Sequence, residues 1–331
     1  MRTLNRLFLV LLISTTFILE SVENSIVPTI EQYESIEHLE NWKYSDTQFS
    51  EITTALGHKQ DKLRVVTYNV LFDGYANGSL AEENRWSNRL PRILELLDEM
   101  QADIIGVQEF CIDQYNDMFP QLENVYGFVA REDKEEELNG IFYKKSRFEL
   151  IDSKVWFLTT TPEVPSRNAV TMVQLKDTKT GQSVAVFNAH FDFSEINTRE
   201  FEARFICQKI IAVQQQMPCI FMGDLNTFSN RPDLTKLPFY DGDYIQRIFA
   251  KAGLKDAKEI SLLGHVGPIA TFTNSGESPV SFKGTGTPGI FLDHIYVSEG
   301  IDVLIHAVQC GTVDGHFPSD HQPVLMDFFL E

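Results

Sequence analysis

The sequence predicts an α/β protein in which two mixed β-sheets pack face to face between outer layers of helices, a four-layered α/β sandwich. Short β-type runs alternate with amphipathic helical segments from Leu63 onward, and the runs are more numerous than one sheet usually holds. The polar segment 176–181 joins two of the runs as a hairpin loop would. Strands joined by hairpins, together with helices that return to the sheet, give mixed sheets.

The predicted strands are short apolar runs rich in β-branched and aromatic residues, which favour extended structure. They are Leu63 to Leu71, Ile104 to Val107, Gly140 to Tyr143, Phe148 to Ile151, Val155 to Leu158, Ala169 to Leu175, Ser183 to Asn188, Cys219 to Met222, Phe291 to Val297, Val303 to Cys310 and Val324 to Phe329.

Apolar residues spaced three and four apart predict three helices, over about residues 86–100, 199–214 and 243–252. In the first helix the spacing places Asn88 and Arg89 on the solvent side. The apolar face of that helix comprises Trp86, Leu90, Ile93, Leu94 and Leu97.

Composition excludes some classes of protein. With 331 residues, of which 43% are hydrophobic, the chain is long enough to bury a large core without staples. Its formal net charge of -19 would repel a polyanion over much of the surface, which argues against high-affinity, non-specific DNA binding. The cysteines Cys111, Cys207, Cys219 and Cys310 form no CxxC pair. Their apolar neighbours predict mostly buried thiols, with a disulfide as the alternative.

The N-terminus has the pattern of a secretory signal. Arg2 and Arg6 precede the apolar run Leu7 to Leu19, which is too short to span a bilayer comfortably. We therefore expect residues 1–24 to be a signal peptide, with an uncleaved anchor as the alternative, and the protein to be secreted or periplasmic. Residues 25–62 are interpreted as an N-terminal extension of the main domain. Asn77 lies in an N-glycosylation pattern, which matters only in a eukaryotic secretory pathway.

Polar side chains suited to catalysis stand where the predicted strands end. Sites are commonly built there, because the sheet is rigid while the loops can vary. A single Asn or Asp at a strand end is more often a turn former or a helix cap, so the hypothesis depends on the whole set. The set comprises Asn69, Glu109, His190, Asp224, Asn226, Asp293, Ser319, Asp320 and His321.

The chemistry of this set indicates a divalent cation and a phosphate group. Carboxylate and amide oxygens suit a hard cation, and imidazole and amide groups can bind phosphate oxygens. The set contains no thiol, and no Gly-x-Ser-x-Gly motif indicates a serine hydrolase. The acidic run Glu132 to Glu137 is interpreted as a solvated loop and not as a metal site.

Six short motifs resemble, in order, those of the endonuclease/exonuclease/phosphatase superfamily over about residues 63–331. Each motif is weak alone, and the ordered set is specific. Residues 157–167 also resemble the secreted bacterial-type branch, and residues 67–76 the branch of poly(A)-removing exonucleases. The superfamily's fold agrees with the predicted sandwich. The motifs are Thr67-Tyr68-Asn69-Val70-Leu71, Asp103-Ile104-Ile105-Gly106-Val107-Gln108-Glu109, Asn188-Ala189-His190, Gly223-Asp224-Leu225-Asn226, Leu292-Asp293-His294-Ile295 and Ser319-Asp320-His321.

The resemblance implies a metal-ligand and water-activating half of the site. Glu109 would be the main Mg²⁺ ligand, assisted by Asn69 and Asp320, and Mn²⁺ would be a substitute ion. Asp224 would hold and deprotonate the attacking water, while Asn226 would bind a phosphate oxygen.

The resemblance also implies an acid–base half. His190 would donate to the phosphate or to the leaving oxygen. His321, oriented by Asp293, would be the second acid–base or charge-stabilising group. The family often places an arginine beyond a Thr-Pro segment to contact the substrate phosphate, and Arg167 is the candidate here.

The predicted function is hydrolysis of a phosphate ester by metal-assisted attack of water. The net charge favours a phosphatase or phosphodiesterase that acts on a compact phosphate ester. The alternative is a nuclease, 3'-5' exonuclease-like, acting on RNA or DNA; a third hypothesis, an inactive binding protein, is disfavoured because no acid–base or metal position is missing. A nucleic acid that binds would lie along the basic stretch 144–179. The alternative interpretation of this stretch is a charged rim on edge strands. We expect a monomer without a transmembrane partner.

Overall fold

A computed structural model confirms the predicted sandwich, with one seven-stranded and one six-stranded sheet. It describes residues 41–42, 62–73, 82–131, 137–158, 168–228, 235–236, 240–268, 270–272 and 290–331. Asn77, Arg167, the predicted signal and most of the acidic run therefore lie outside the described residues. Among the helices of the described part, none combines the length and the apolar character that a membrane span requires.

The strands of the described residues form two large mixed sheets and one small pair. They are β1 (Asn41–Trp42), β2 (Leu63–Asn69), β3 (Ile104–Gln108), β4 (Tyr126–Val129), β5 (Ile141–Lys144), β6 (Phe148–Phe157), β7 (Ala169–Asp177), β8 (Ser183–His190), β9 (Cys219–Asp224), β10 (Lys255–Asp256), β11 (His265–Val266), β12 (Asp293–Val297), β13 (Ile301–Val308), β14 (Cys310–Gly311) and β15 (Val324–Leu330). The larger sheet has the order β11-β13-β15-β2-β3-β5-β4, the smaller one β10-β12-β9-β8-β7-β6, and β1 pairs with β14. Within the two sheets, β2 runs parallel to β3 and β8 runs parallel to β9.

The predicted strands at residues 148–151 and 155–158 are one continuous strand, β6. The polar residues between them do not break the strand, which lies at the edge of its sheet among the described strands and pairs there with β7. Its pairing with β7 shifts register between Leu150 and Asp152. This edge position agrees with the interpretation of the basic stretch as a charged rim.

The helices are α1 (Trp86–Met100), α2 (Ile112–Leu122), α3 (Ile196–Gln214), α4 (Tyr244–Lys251) and α5 (Ala257–Ile260), preceded by a short 3-10 helix at Glu82–Asn84. The three predicted helices are confirmed as α1, α3 and α4. Helix α2 was not predicted; Gln114 and Met118 are its buried residues, Tyr115, Phe119 and Leu122 pack against the same core, and Pro120 lies in its last turn. Its N-terminus is capped by Cys111, whose backbone N–H donates to the Gln114 side chain at 3.1 Å.

Successive side chains along each strand point to opposite faces of the sheet, and this alternation produces three apolar layers. Val65 of β2 and Val186 of β8 point into the core between the sheets, together with Met222 of β9. The next residue along β2, Val66, faces the opposite side and packs against α1 and α2. Phe187 of β8 likewise packs against α3 and α4. This period of two gives the sandwich its four layers.

A buried polar contact joins the two sheets in the middle of this core. The amide of Asn188, on β8, donates to the backbone oxygens of Val107 and Gly140 at 3.0 Å each. Its oxygen accepts from Gln108 of β3 at 2.6 Å. A buried amide is stable only when its hydrogen-bond partners are in place, so these bonds hold β8 against β3. Asn188 lies two residues before His190 on β8.

The prediction of buried thiols is confirmed for two cysteines. Cys207 and Cys219 are buried and unpaired, while Cys111 is unpaired and half-buried.

Candidate active site

The strand ends that carry the predicted residues meet at one edge of the sandwich. Asn69 ends β2 and Glu109 directly follows β3, which runs parallel to it. His190 ends β8 beside Asp224, which ends β9, and Asp293 begins the antiparallel strand β12 directly opposite Asp224. The topology therefore brings these five side chains together, as the sequence predicted.

Asp224 lies at the centre of the group and is almost fully buried. Its Oδ2 accepts from the Asn69 amide at 3.0 Å, and its Oδ1 accepts from the Asn226 backbone N–H at 3.0 Å. The Nε2 atoms of His190 and His321 both lie 3.6 Å from Oδ2. The Asp224 carboxylate is therefore flanked by two imidazoles.

The Asn69 amide holds two carboxylates together. Its nitrogen lies 3.0 Å from Glu109 Oε1 as well as from Asp224, while its oxygen accepts from the Leu71 backbone N–H at 3.0 Å. Glu109 Oε2 accepts from the Phe72 N–H at 2.9 Å. In this arrangement Asn69 contributes N–H donors to the site and the carboxylates contribute the oxygens. Its predicted role as an oxygen ligand stays a prediction.

His321 and Asp293 form a buried ion pair. His321 Nδ1 donates to Asp293 Oδ2 at 2.8 Å. Burial alone would lower the pKa of His321, but Asp293 and Asp224 outweigh burial and raise that pKa to about 10. The ring is therefore held with a proton on Nδ1 and with Nε2 facing Asp224.

His190 has a carboxylate partner in Glu137, a residue predicted to lie in a solvated loop. Its Nδ1 lies 3.0 Å from both oxygens of Glu137, and its Nε2 lies 3.0 Å from the Asn226 amide. Burial alone would lower the pKa of His190, but Glu137, with Asp224 and Glu109, raises it well above its usual value. The interpretation of the acidic run was wrong for Glu137, whose side chain is only 18% exposed.

The position of Glu137 had a signal in the sequence. It lies shortly before β5, and β5 is antiparallel to β3. The beginning of an antiparallel neighbour lies at the same edge of the sheet as the end of β3, where Glu109 stands. An acidic residue just before such a strand is therefore a candidate for the site, just as a polar residue at the end of β3 is.

Ser319 and Asp320 complete the site from the loop before β15. Ser319 Oγ donates to the Asn69 backbone oxygen at 2.7 Å and so fixes this loop against the end of β2. Burial, together with repulsion from Glu109 and Asp224, raises the pKa of Asp320 to about 6. The carboxylates are thus crowded enough to repel one another, a condition that a divalent cation relieves.

Arg89 was wrongly predicted to face solvent, and it is 1% exposed. Its guanidinium donates to the backbone oxygens of Val70, Leu71 and Asn84, and more distantly to that of Pro318 at 3.4 Å. The apolar face of α1 therefore includes this cation. The carbonyls of Val70 and Leu71, just beyond the end of β2, need hydrogen-bond donors, and the long guanidinium of Arg89 supplies them.

Three residues of the site have left-handed backbone conformations without being glycine. They are Leu71 with φ 59°, Glu109 with φ 53° and Asn226 with φ 47°. Such conformations are disfavoured for residues with a Cβ and persist where the surrounding contacts determine them. Gly223 precedes Asp224 with φ 153°, and a Cβ there would lie 1.8 Å from the Ala189 oxygen. Only glycine therefore allows β8 and β9 to approach this closely.

Two sets of side chains at this edge can serve a cation. Asp224, Asp293 and His321 offer ligand atoms that lie within 4.8 Å of one another. Within this trio, His321 and Asp293 are already joined by a hydrogen bond. Mg²⁺ prefers carboxylate oxygens and water to imidazole, and the predicted role of Glu109 and Asp320 as its ligands stays a prediction.

Comparison with known proteins agrees with this geometry. Residues 66–321 match the Endonuclease/Exonuclease/phosphatase family, and the chain belongs to that family. The family comprises hydrolases that act on phosphate esters. This confirms the resemblance found in the sequence.

Individual relatives are more distant. The Ccr4 3'-5'-exoribonuclease subunit of the CCR4-Not complex from Mycosarcoma maydis is 29% identical over 114 residues, 29% of this chain and only 17% of that protein. An endonuclease/exonuclease/phosphatase from Bacteroides vulgatus has a TM-score of 0.66 and 22% identity, over 82% of this chain and 100% of the other. The mannosyl-6-phosphatase of Bacteroides thetaiotaomicron has a TM-score of 0.63 and 24% identity, over 81% and 100%. These two structures share the fold.

Proposed function

We propose that this protein is a metal-dependent phosphoesterase that hydrolyses a compact phosphate ester. The observation that supports this most directly is the Asp224 carboxylate with an imidazole Nε2 at 3.6 Å on each side. Each imidazole has its own carboxylate partner, Asp293 or Glu137. This arrangement provides a base for water and two groups able to donate to phosphate oxygens.

The proposed metal is Mg²⁺, with Mn²⁺ as a substitute, held by Glu109 and Asp320 with the assistance of Asn69. The donor set fits a hard cation, because it is rich in carboxylates that repel one another and contains no thiol. A bound Mg²⁺ would neutralise charge on the phosphate and on the leaving oxygen.

The side chains would divide the remaining work. Asp224 accepts a proton from the attacking water, since its carboxylate is fixed by Asn69 and by the Asn226 N–H. The Asn226 side chain and the Nε2 of His190 face a phosphate oxygen. His321, charged because of Asp293, stabilises the developing negative charge and gives a proton to the leaving oxygen. No covalent intermediate with the protein is needed.

Charge supports the choice of a compact substrate. A net charge of -19 disfavours a long polyanion, while a small ester meets chiefly the cation and its neighbouring donors. The fold shared with a mannosyl-6-phosphatase is consistent with such a substrate. A nuclease is the second candidate, and the partial match to an exoribonuclease subunit favours it. Arg167 remains a proposed contact for the substrate phosphate in either case.

We also propose that the protein is exported and acts as a monomer. The export proposal rests on the basic and then apolar pattern of residues 1–24. A reporter fused to residues 1–24 should leave the cytoplasm, and its retention there would contradict the proposal.

The function is tested by a substrate panel on purified protein with Mg²⁺ or Mn²⁺. The panel contains sugar phosphates, a chromogenic monoester, a diester, phosphorylated lipids and single-stranded oligonucleotides, with Asp224→Asn as the inactive control. Turnover of a compact ester that exceeds cleavage of oligonucleotides supports the proposal. Oligonucleotide cleavage at much higher kcat/KM would favour the nuclease, and no metal-dependent turnover on any substrate would contradict both.

A further inference from the structure

We propose that a cavity beside the candidate active site binds the organic part of the substrate and selects esters that carry a second anionic group, a phosphate or a carboxylate. The proposal rests on the proposed function and narrows its substrate class. The cavity has a volume of about 440 Å³, which is in the size range of small-molecule sites. Its lining comes from the end of β4, through Val129 and Arg131, and from β6, through Ser153, Val155 and Phe157.

The cavity lies in the gap between the two sheets, at the side where β4 and β6 are the outermost of the described strands. Ser153 stands opposite Val173 of β7, a residue of the core between the sheets. Because side chains alternate along a strand with a period of two, Val155 and Phe157 face the same side as Ser153. Val129 packs against this core from the larger sheet. A ligand in the cavity would therefore contact both sheets.

The Phe157 end of the cavity lies at the edge of the sheet that carries the site. Phe157 ends β6 opposite Ala169, the first residue of β7. The next residue, Val170, stands opposite Ala189, which directly precedes His190 at the end of β8. One strand separates β6 from β8, so at about 4.8 Å between neighbouring strands Phe157 lies roughly 10 Å along this edge from His190. The organic part of a compact ester can cover that distance.

Arg131 is the group that would recognise the second anion. Its guanidinium lies over the Phe157 ring, with Cζ 4.9 Å from the ring centroid, and the residue is only 7% exposed. An aromatic ring uses up no hydrogen-bond donor, so this contact positions the guanidinium while its N–H groups can bind oxygens of the chain and of a ligand. A guanidinium with a fixed plane binds phosphate and carboxylate oxygens through two parallel hydrogen bonds.

The charge of the cavity favours an anion over a neutral group. Its described lining includes the cations Arg131 and Lys154 and no carboxylate, although the whole chain has a net charge of -19. The Lys154 side chain is 54% exposed and is paired with Asp152 at 3.4 Å, so Arg131 should contribute most of the selectivity. Val155 and the Phe157 ring would pack against the carbon skeleton of the ester.

The selectivity is tested by calorimetric titration of the full-length Asp224→Asn variant at one fixed concentration of Mg²⁺. The probes are glucose 6-phosphate, which has no second anion, glucose 1,6-bisphosphate and 6-phosphogluconate. We expect at least one of the last two to bind roughly 10–100-fold more tightly than glucose 6-phosphate, a factor typical of hydrogen bonds to a charged group. Which of the two binds more tightly distinguishes phosphate from carboxylate. Equal affinities for all three probes, or no measurable binding of the two doubly anionic ones, would overturn the proposal.

Arg131→Gln in the same background should abolish the preference for a second anion. Lys209→Gln is the matched control, because Lys209 Nζ lies 5.6 Å from the ring of Trp156, the neighbour of Phe157 on β6. Trp156 packs against the core on the outer face of the sheet, so this second cation–ring contact lies outside the cavity. Lys209→Gln should keep the preference, and an equal loss in both variants would overturn the assignment to Arg131. If Arg131→Gln does not fold, Arg131→Lys decides instead: it keeps the charge without the planar fork and should lose most of the preference, and an unchanged preference would overturn the proposal.

The titrations do not depend on turnover, so they separate this proposal from the proposed function. A panel without metal-dependent turnover contradicts the function, while equal affinities for the hexose phosphates contradict the selectivity of the cavity. The dinucleotide pTpT is the fourth probe, because the second phosphate of a nucleic acid could also reach Arg131. Binding of pTpT that is tighter than that of both doubly anionic hexoses and is lost in Arg131→Gln would overturn the proposal and assign the cavity to a nuclease.

Discussion

Arg89→Lys should separate the role of the guanidinium fork from the role of its charge. Lysine keeps the positive charge, but its ammonium group cannot reach all the carbonyls that Arg89 binds. Of these, the Leu71 oxygen also accepts from Gln114 at 3.0 Å and stays satisfied. The oxygens of Val70 and Asn84 depend on the fork. At about 1–3 kcal/mol for each buried carbonyl left without a donor, and with lysine rescuing one of them, the expected loss is about 2 kcal/mol.

Arg89→Lys should change metal binding at the site as well as the stability of the protein. Arg89 binds carbonyls directly after Asn69 and shortly before Asp320, so their displacement should weaken Mn²⁺ binding by about tenfold, a typical effect of a residue that orients ligands. Arg147→Lys is the control, since Arg147 is a buried arginine paired with Asp177 through two bonds of 2.7 and 2.8 Å. It should lose stability but keep its affinity for Mn²⁺.

Two assays decide between these outcomes. Urea unfolding without added metal gives the loss of stability, and calorimetric titration with Mn²⁺ gives the affinity of the folded protein. A folded Arg89→Lys variant with wild-type affinity for Mn²⁺ would refute the role assigned to the fork. An equal fall in affinity in Arg147→Lys would refute it too, because the effect would then follow from lower stability alone.

Further predictions concern Glu109, the His321–Asp293 pair and His265. Glu109→Gln should lose nearly all metal-dependent activity and most Mn²⁺ affinity, and unchanged affinity in titration calorimetry would remove Glu109 from the ligand role. His321→Ala and Asp293→Asn should each lower kcat by roughly 10² with smaller effects on KM, and independent losses in the double variant would show that the two do not act as a pair. Burial lowers the pKa of His265 to about 4, so the unfolded chain takes up a proton first as the pH falls. The share of stability that His265 contributes above pH 6.5 should therefore be lost between pH 6.5 and 4, by at most about 3 kcal/mol. His265→Gln should flatten the change in urea-unfolding free energy across that window, and an unchanged slope would contradict the assignment.

The predictable part of the fold was the part with strong periodic patterns. The alternation of Val65 and Val66 between two apolar layers follows directly from the period of a strand. Helix α2 was not predicted although Tyr115, Met118, Phe119 and Leu122 have helical spacing and face one core; the helix is short, and Pro120 lies within it. Strand β4, which begins Tyr126-Gly127, was not predicted either. It forms by pairing with β5, and the local sequence does not specify that pairing.

The candidate site, like the fold, was predictable only in part. The chemistry of the residues at strand ends indicates a divalent cation and a phosphate group, and the resemblance of the six motifs implies a phosphoesterase. Arg89 and Glu137 were misassigned because charged residues on a helix or in an acidic run usually face solvent. Burial of these two charges depends on the carbonyls and imidazole that other parts of the chain bring to them.

The sequence by itself determined which chemical groups this protein has and the order in which the strands deliver them. It also determined the family, because six short motifs in one order are far more specific than any single one. Only the tertiary structure decided which groups touch. Hydrogen bonds depend on distances of about 3 Å between atoms that can be more than a hundred residues apart, as between Asn69 and Asp224. Local patterns carry no record of such distances. The pairing of His190 with Glu137, and the burial of Arg89 behind the site, are therefore properties of the folded chain.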